Sequence, residues 1–150
     1  MSDNMQKRTG GLTRMMHVPA SRFAVVGSVG FLVDAAILTF LANMAGLGPY
    51  VPRLISFPVA LTCTWQLNRV WTFPSAQGQK RAAQYGRYAA VQITGALLNL
   101  AIYALAIAIG PDWFGDFVVV PLAIASGVAM VFNYLGARHW AFHVMPPVGK

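Results

Sequence analysis

The chain has no glutamate, one cysteine and few charges of either sign: Asp, Lys and Arg together make up 10% of its 150 residues. A soluble domain carries about 25% charged residues, so a water-soluble core is excluded. The lone Cys63 rules out an intramolecular disulfide. It falls mid-run and reads as a small packing residue. Without glutamate the only acidic side chains are four aspartates, and Asp34 alone lies inside an apolar run. There is no glycine-rich phosphate loop and no Ser/His/Asp set. His17, His139 and His143 all fall near the expected cytoplasmic surface, and His139 and His143 stand at i, i+4 spacing but have no third ligand nearby. The sequence therefore predicts no metal site, no cofactor and no enzymatic activity by this chain alone.

What is present is apolar length. Hydrophobic residues make up 57% of the chain, concentrated in runs at about 23–45, 52–73, 88–109 and 117–140. A membrane-spanning helix needs roughly 20 residues. The expected fold is an all-α polytopic membrane protein with four transmembrane helices. One domain occupies 22–143, between a loose cytoplasmic tail, 1–21, and a second tail, 144–150. The first run exceeds a signal-peptide core and lacks a small-x-small cleavage site, so it reads as a retained anchor.

The net charge of +7 does not indicate nucleic acid, because the basic residues sit at the ends of the runs. Lys7, Arg8, Arg14 and Arg22 precede the first. Lys80, Arg81 and Arg87 lie between the second and third, and Arg138 and Lys150 end the chain. The loop before the second run offers only Arg53, and the loop before the fourth has Asp112 and Asp116. The positive-inside rule then places both termini and residues 74–84 in the cytoplasm; the expected location is the inner (cytoplasmic) membrane.

Internal similarity organises the chain. Asn68, Arg69, Val70, Trp71, Thr72 and Phe73 end the second run, and Ala137, Arg138, His139, Trp140, Ala141 and Phe142 end the fourth. Both read Arg-x-Trp-x-Phe. At the same offset Val51 and Pro52 match Val120 and Pro121, and Ile55, Val59 and Ala60 match Ile124, Val128 and Ala129. The first and third runs align as well: Arg22 with Arg87, Phe23 with Tyr88, Gly30 with Gly95, Asp34 with Asn99. Two parallel-oriented repeats of a helical hairpin are expected, 22–73 and 87–142, related by a pseudo-twofold axis along the membrane normal.

Polar positions within the runs are the candidate site. Gly27, Gly30 and Asp34 share one helical face, where small residues let a partner helix approach closely. Asp34 lies twelve residues beyond Arg22, or ~18 Å along a helix, near the bilayer midplane. A carboxylate there costs at least ~2.5 kcal/mol, so it must pair, face the bundle or be protonated. Asn99 stands at the same depth in the other repeat, and Asn133 and Gln66 add polar groups to the fourth and second helices. Together these four residues form a polar substrate path. Arg69 and Arg138 reach inner-headgroup depth, where a guanidinium matches a lipid phosphate bidentately, and Asn68 can add a hydrogen bond. Trp71 and Trp140 read as interfacial anchors or sugar-stacking rings. The plainer alternatives are interhelical packing for Asp34 and interfacial snorkelling for the arginines.

These motifs resemble the GtrA-like family of small four-span proteins. The match rests on Arg22, Phe23 and Gly27 at the start of the first hairpin, Asn68 to Phe73 at its end, and Arg138, Trp140 and Phe142 in the second. It covers residues 22 to 142. The resemblance implies a flippase for polyprenyl-phosphate-linked sugars, such as undecaprenyl phosphate glucose, moving from inner to outer leaflet during cell-surface polysaccharide (O-antigen) synthesis. It also implies a membrane glycosyltransferase partner. Two alternatives remain: a non-transporting subunit that anchors or feeds lipid to a glycosyltransferase, and a cation exporter of the small multidrug-resistance type. The last class carries a glutamate in its first span, absent here. Four helices make a thin wall around a sugar phosphate, so a homo-oligomer is expected.

The charge asymmetry yields a topology test. In a Cys63→Ser background, a Gly78→Cys variant is expected to react with impermeant thiol reagent from the cytoplasmic side only. Labelling from outside alone would invert the topology.

Overall fold

The computed structural model describes residues 2–45, 50–111, 113 and 119–143. Among them the chain is helical, with no strand. Helix α1 is Ser2–Ala45, α2 is Tyr50–Leu67, α3 is Arg81–Ile109 and α4 is Val119–Gly136. Short π-helical turns, Asn68–Thr72 and Ala137–Ala141, continue α2 and α4. A 3-10 turn, Pro74–Gly78, follows the first. Asp112, Asp116, the start of the expected fourth run at Phe117 and the 144–150 tail lie outside the described residues.

Three helical segments are long and apolar enough to cross a membrane: Pro19–Asn43 within α1, Arg81–Ile109, and Val119–Ala141. The helix α2 is not among them. Arg53, Thr62, Thr64 and Gln66 dilute its apolar character. Residues 2–21, expected as a loose tail, lie within α1, which begins at Ser2. Met, Lys, Arg, Gln and Leu are good helix formers, and they outweigh Gly10, Gly11 and the in-helix Pro19.

The chain divides into two compact units, Met1–Gln77 and Gly78–Lys150. Each is an antiparallel pair, α1 against α2 and α3 against α4. The buried face of the second helix in each pair follows one ridge of every fourth residue. In the first unit it runs Pro52, Ser56, Ala60, Thr64, Asn68, Thr72; in the second, Pro121, Ala125, Ala129, Ala137, Ala141, with half-buried Asn133 filling the gap. Ridges along i±4 are a standard helix-packing surface, and small residues on them let backbones close together. The facing helices answer with Phe23, Val26 and Gly30, and with Tyr88, Val91 and Gly95.

The glycines meet the ridge at matched places. A Cβ on Gly30 would lie 2.2 Å from Thr64 Cγ2, and one on Gly95 would lie 1.9 Å from Asn133 Oδ1. Gly27 is different from expectation: it is exposed, with nothing within 4 Å of a Cβ. It precedes Gly30 by three residues and has already rotated off the contact.

Both hairpins close at the basic end through a π turn. The Phe73 N–H donates to the Asn68 carbonyl at 2.7 Å, and the Phe142 N–H donates to Ala137 at 2.8 Å. This i→i+5 bond widens the helix and keeps Thr72 and Phe73, like Ala141 and Phe142, on the buried side. Phe73 then packs on Phe23 with centroids 6.4 Å apart, and Phe142 packs edge-on to Tyr88 at 5.6 Å.

Gly30→Ala should destabilise the protein by about 1–3 kcal/mol, the range for overpacking, because Thr64 is β-branched and stiff. Gly27→Ala should leave the detergent melting temperature unchanged. Equal melting of the two variants would show that the Gly30 approach is not a packing contact.

Candidate functional site

In the first hairpin the basic end is built from both helices. Arg69 lies in the π turn and is only 5% exposed. Its guanidinium covers the Trp65 ring, 5.8 Å from the centroid, and Nη2 donates to the Gln77 carbonyl in the 3-10 turn. Carbonyls beyond a helix end lack intrahelical donors, and Arg69 supplies one. It is therefore a buried strut under the turn, in place of the open fork expected from its position. Asn68 beside it is buried, and its carbonyl accepts the Phe73 N–H. Arg22, from α1, donates Nη1 to the Trp71 carbonyl at 3.1 Å and sits 5.5 Å from the Trp71 ring centroid. Trp71 is thus held from the other helix while its ring stays 42% exposed.

The second hairpin has the same parts with different bonds. Arg138 lies 6.0 Å from the Tyr134 ring centroid and donates Nη1 to the Tyr134 hydroxyl at 2.9 Å. Its residue is half-buried rather than buried, so it is the more open of the two motif arginines. Arg87, matching Arg22, donates Nη2 to Gln79 Oε1 at 2.6 Å, and Gln79 Nε2 donates to the His143 carbonyl at 2.6 Å. The Arg87 Nε is buried with no acceptor among the described residues. Gln92 donates to the Tyr88 hydroxyl at 2.6 Å. Trp140 projects outward, 54% exposed.

Deeper in the helices the polar residues separate. Asp34 pairs with Arg53 of the first turns of α2 through Oδ2; the carboxylate side chain is 15% exposed and the guanidinium 53%. Asp34 Oδ1 is buried with no hydrogen bond. Asn99, the matching residue, donates to Ser126 Oγ at 3.1 Å. Asn133 packs on Gly95 with its Oδ1 buried and unbonded. Gln66 is exposed, off the buried ridge of α2. Asp34 belongs to a charge pair within the first hairpin, while Asn99 and Asn133 belong to the α3–α4 contact.

These hairpins fill the interval that a known domain occupies. The family model described as GtrA/DPMS, transmembrane domain, matches residues 22–142. The chain belongs to the GtrA/DPMS transmembrane-domain family. That membership makes it a multi-pass membrane protein tied to the handling of lipid-linked sugars, in a family that is not a classical enzyme family. The match begins at the arginine that holds Trp71 and ends at the phenylalanine that packs on Tyr88. The GtrA/DPMS domain is thus bounded by the residues that close its two hairpins. Among the described residues no group of three His, Cys, Asp or Glu could hold a metal.

Sequence reasoning missed Arg53 as the partner of Asp34, counting it only as a loop charge. The signal was available: Arg53 is the only Lys or Arg between Phe23 and Asn68, and Asp34 the only acid. It also missed Gln77 and Gln79. A backbone acceptor leaves no side-chain pattern, and Gln79 looked like ordinary loop polarity.

Arg69→Ala should loosen the 74–78 turn, since a charged group's hydrogen bond contributes about 1.5–3 kcal/mol. Faster amide exchange over residues 74–80 in nanodiscs is expected, with little change for Arg138→Ala. Unchanged exchange in Arg69→Ala would remove the strut.

Proposed function

We propose that this protein translocates a polyprenyl-phosphate-linked sugar, such as undecaprenyl phosphate glucose, from the inner to the outer leaflet for cell-surface polysaccharide synthesis. All four helices cross the bilayer in this reading. The helix α2 together with its π turn reaches the ~20 residues required, and Ser56, Thr64, Asn68 and Thr72 are buried against protein rather than lipid. The hairpins act as two copies of one unit, with both termini and residues 74–84 cytoplasmic.

The observation that carries the proposal is the recurrence of a guanidinium stacked on the ring four residues earlier, Arg69 on Trp65 and Arg138 on Tyr134. Each stands at the basic end of a domain whose family is tied to lipid-linked sugars. The neighbouring ring restrains each guanidinium, and the half-buried Arg138 is the one of the two with an edge open to a phosphate. Arg138 makes the first contact with the cytoplasmic-leaflet phosphate, because its hydrogen bond among the described residues is to a hydroxyl that can be exchanged. Asn68 and Arg69 set the shape of the first hairpin's end, and Trp71 and Trp140 hold depth at the interface. A glycosyltransferase that makes the lipid-linked sugar is the expected partner, and a second copy of the chain completes the wall. The cation-exporter reading loses ground, because the carboxylate it requires is already neutralised by Arg53.

Vesicles containing only this protein are expected to move the lipid-linked sugar to the far leaflet, read by a leaflet-selective probe. Arg138→Lys should slow that movement about tenfold, the equivalent of ~1.4 kcal/mol. Arg138-dependent binding without movement would instead identify a subunit that hands lipid to the glycosyltransferase.

A further inference from the structure

The charge pair in the first hairpin has an internal control. The second hairpin makes the same helix contact with neutral groups: Asn99 stands where Asp34 does and bonds Ser126, and Leu122 stands at the position matching Arg53. The hairpin fold therefore does not need the pair. Nor is the pair arranged for stability. Burial of charge is offset only when both partners are fully bonded, yet Asp34 Oδ1 is buried without a partner among the described residues. Burial falls on the acid, while the Arg53 side chain is 53% exposed. Among the described residues Arg53 commits one hydrogen bond, from Nη1 to Asp34, and its guanidinium lies 5.9 Å from the Phe57 ring centroid. A guanidinium carries five donors. Ser56 Oγ, fully buried and unbonded, stands one turn further along α2.

We infer that Arg53 is a phosphate-binding residue for an anionic lipid at the end of the hairpin opposite Arg22 and Arg69, and that Asp34 is its resident counter-ion. The empty site is closed by the Asp34 carboxylate. An arriving phosphate displaces it from Arg53, using the unspent donors, and the carboxylate returns when the phosphate leaves. Only electrostatic contacts and hydrogen bonds are exchanged. This rests on the proposed translocation by naming where the phosphate is received after crossing, but the phosphate site itself is testable without transport.

The full-length protein in detergent micelles would be titrated by native mass spectrometry with undecaprenyl phosphate, phosphatidylglycerol and inorganic phosphate. The variants are Arg53→Leu and Asp34→Asn, which install the second hairpin's residues, and the double variant carrying both. Undecaprenyl phosphate binding should fall about tenfold or more in Arg53→Leu, the size of one charge-assisted hydrogen bond. It should rise severalfold in Asp34→Asn, where the competitor is removed, and fall again in the double variant. A merely structural pair predicts the reverse for the double variant, since removing both charges leaves no unpaired partner. Wild-type binding in the double variant therefore overturns the inference, as does failure of the wild type to bind any probe. Equal, Arg53-dependent binding of phosphatidylglycerol upholds the phosphate site while removing its selectivity for the proposed cargo. Arg53-dependent binding of inorganic phosphate alone overturns the lipid assignment. Failure of translocation with Arg53-dependent lipid binding intact would count against the transport reading and not against this site.

Discussion

In a bilayer, apolar side chains gain nothing by leaving lipid for protein, so a helical hairpin closes only where backbones can approach and polar groups can meet. Every feature of these two hairpins follows from that constraint. The helices α2 and α4 present a single ridge of small or slender residues, and α1 and α3 bring Gly30 and Gly95 against it. Large apolar residues such as Phe31, Leu54, Leu97 and Leu135 are turned outward, where a soluble protein would not leave them. Contact along the ridge places the aromatic pairs at one end of each hairpin and the polar pairs further in.

The two hairpins share a frame but not a charge pattern. Phe23 with Phe73 and Tyr88 with Phe142 are equivalent closures. Away from the closures the first hairpin spends formal charge and the second mostly amides and hydroxyls: Asp34 with Arg53 against Asn99 with Ser126, and Arg69 on a backbone carbonyl against Arg138 on a phenol. A shared scaffold with divergent polar groups separates what the fold requires from what the site requires. That separation gives Arg53, only a loop charge in the linear sequence, a functional argument.

Much of this architecture is legible in the residues. The apolar runs, the repeated Arg-x-Trp-x-Phe, the small residues at Gly30 and Gly95, and the equivalence of Asp34 with Asn99 all depend on local spacing, which sequence preserves. What is not legible depends on the register between antiparallel helices. Asp34 and Arg53 lie across a loop, and only the packed pair decides that they meet. Arg69 reads as an interfacial cation until its acceptor is seen to be the Gln77 carbonyl, which no side-chain pattern encodes. Gly27 and Gly30 look alike on a helical wheel, yet one contacts Thr64 and the other nothing, because the contact is narrower than the face. Helix propagation through residues 2–21 was hidden by polar composition, which says little about backbone conformation.

The π turns carry a geometric consequence. A step of four residues overshoots one revolution of an α-helix by about 40°, so a ridge of fours winds steadily away from a straight neighbour. Followed from Pro52 to Thr72, that drift would carry the contact far around the cylinder before the hairpin reached its basic end. A turn closed by an i→i+5 bond takes more residues per revolution and winds the ridge back. The bonds from Phe73 to Asn68 and from Phe142 to Ala137 therefore act as a vernier. They wind back the last step of each ridge, so that Thr72 and Phe73, like Ala141 and Phe142, stay buried.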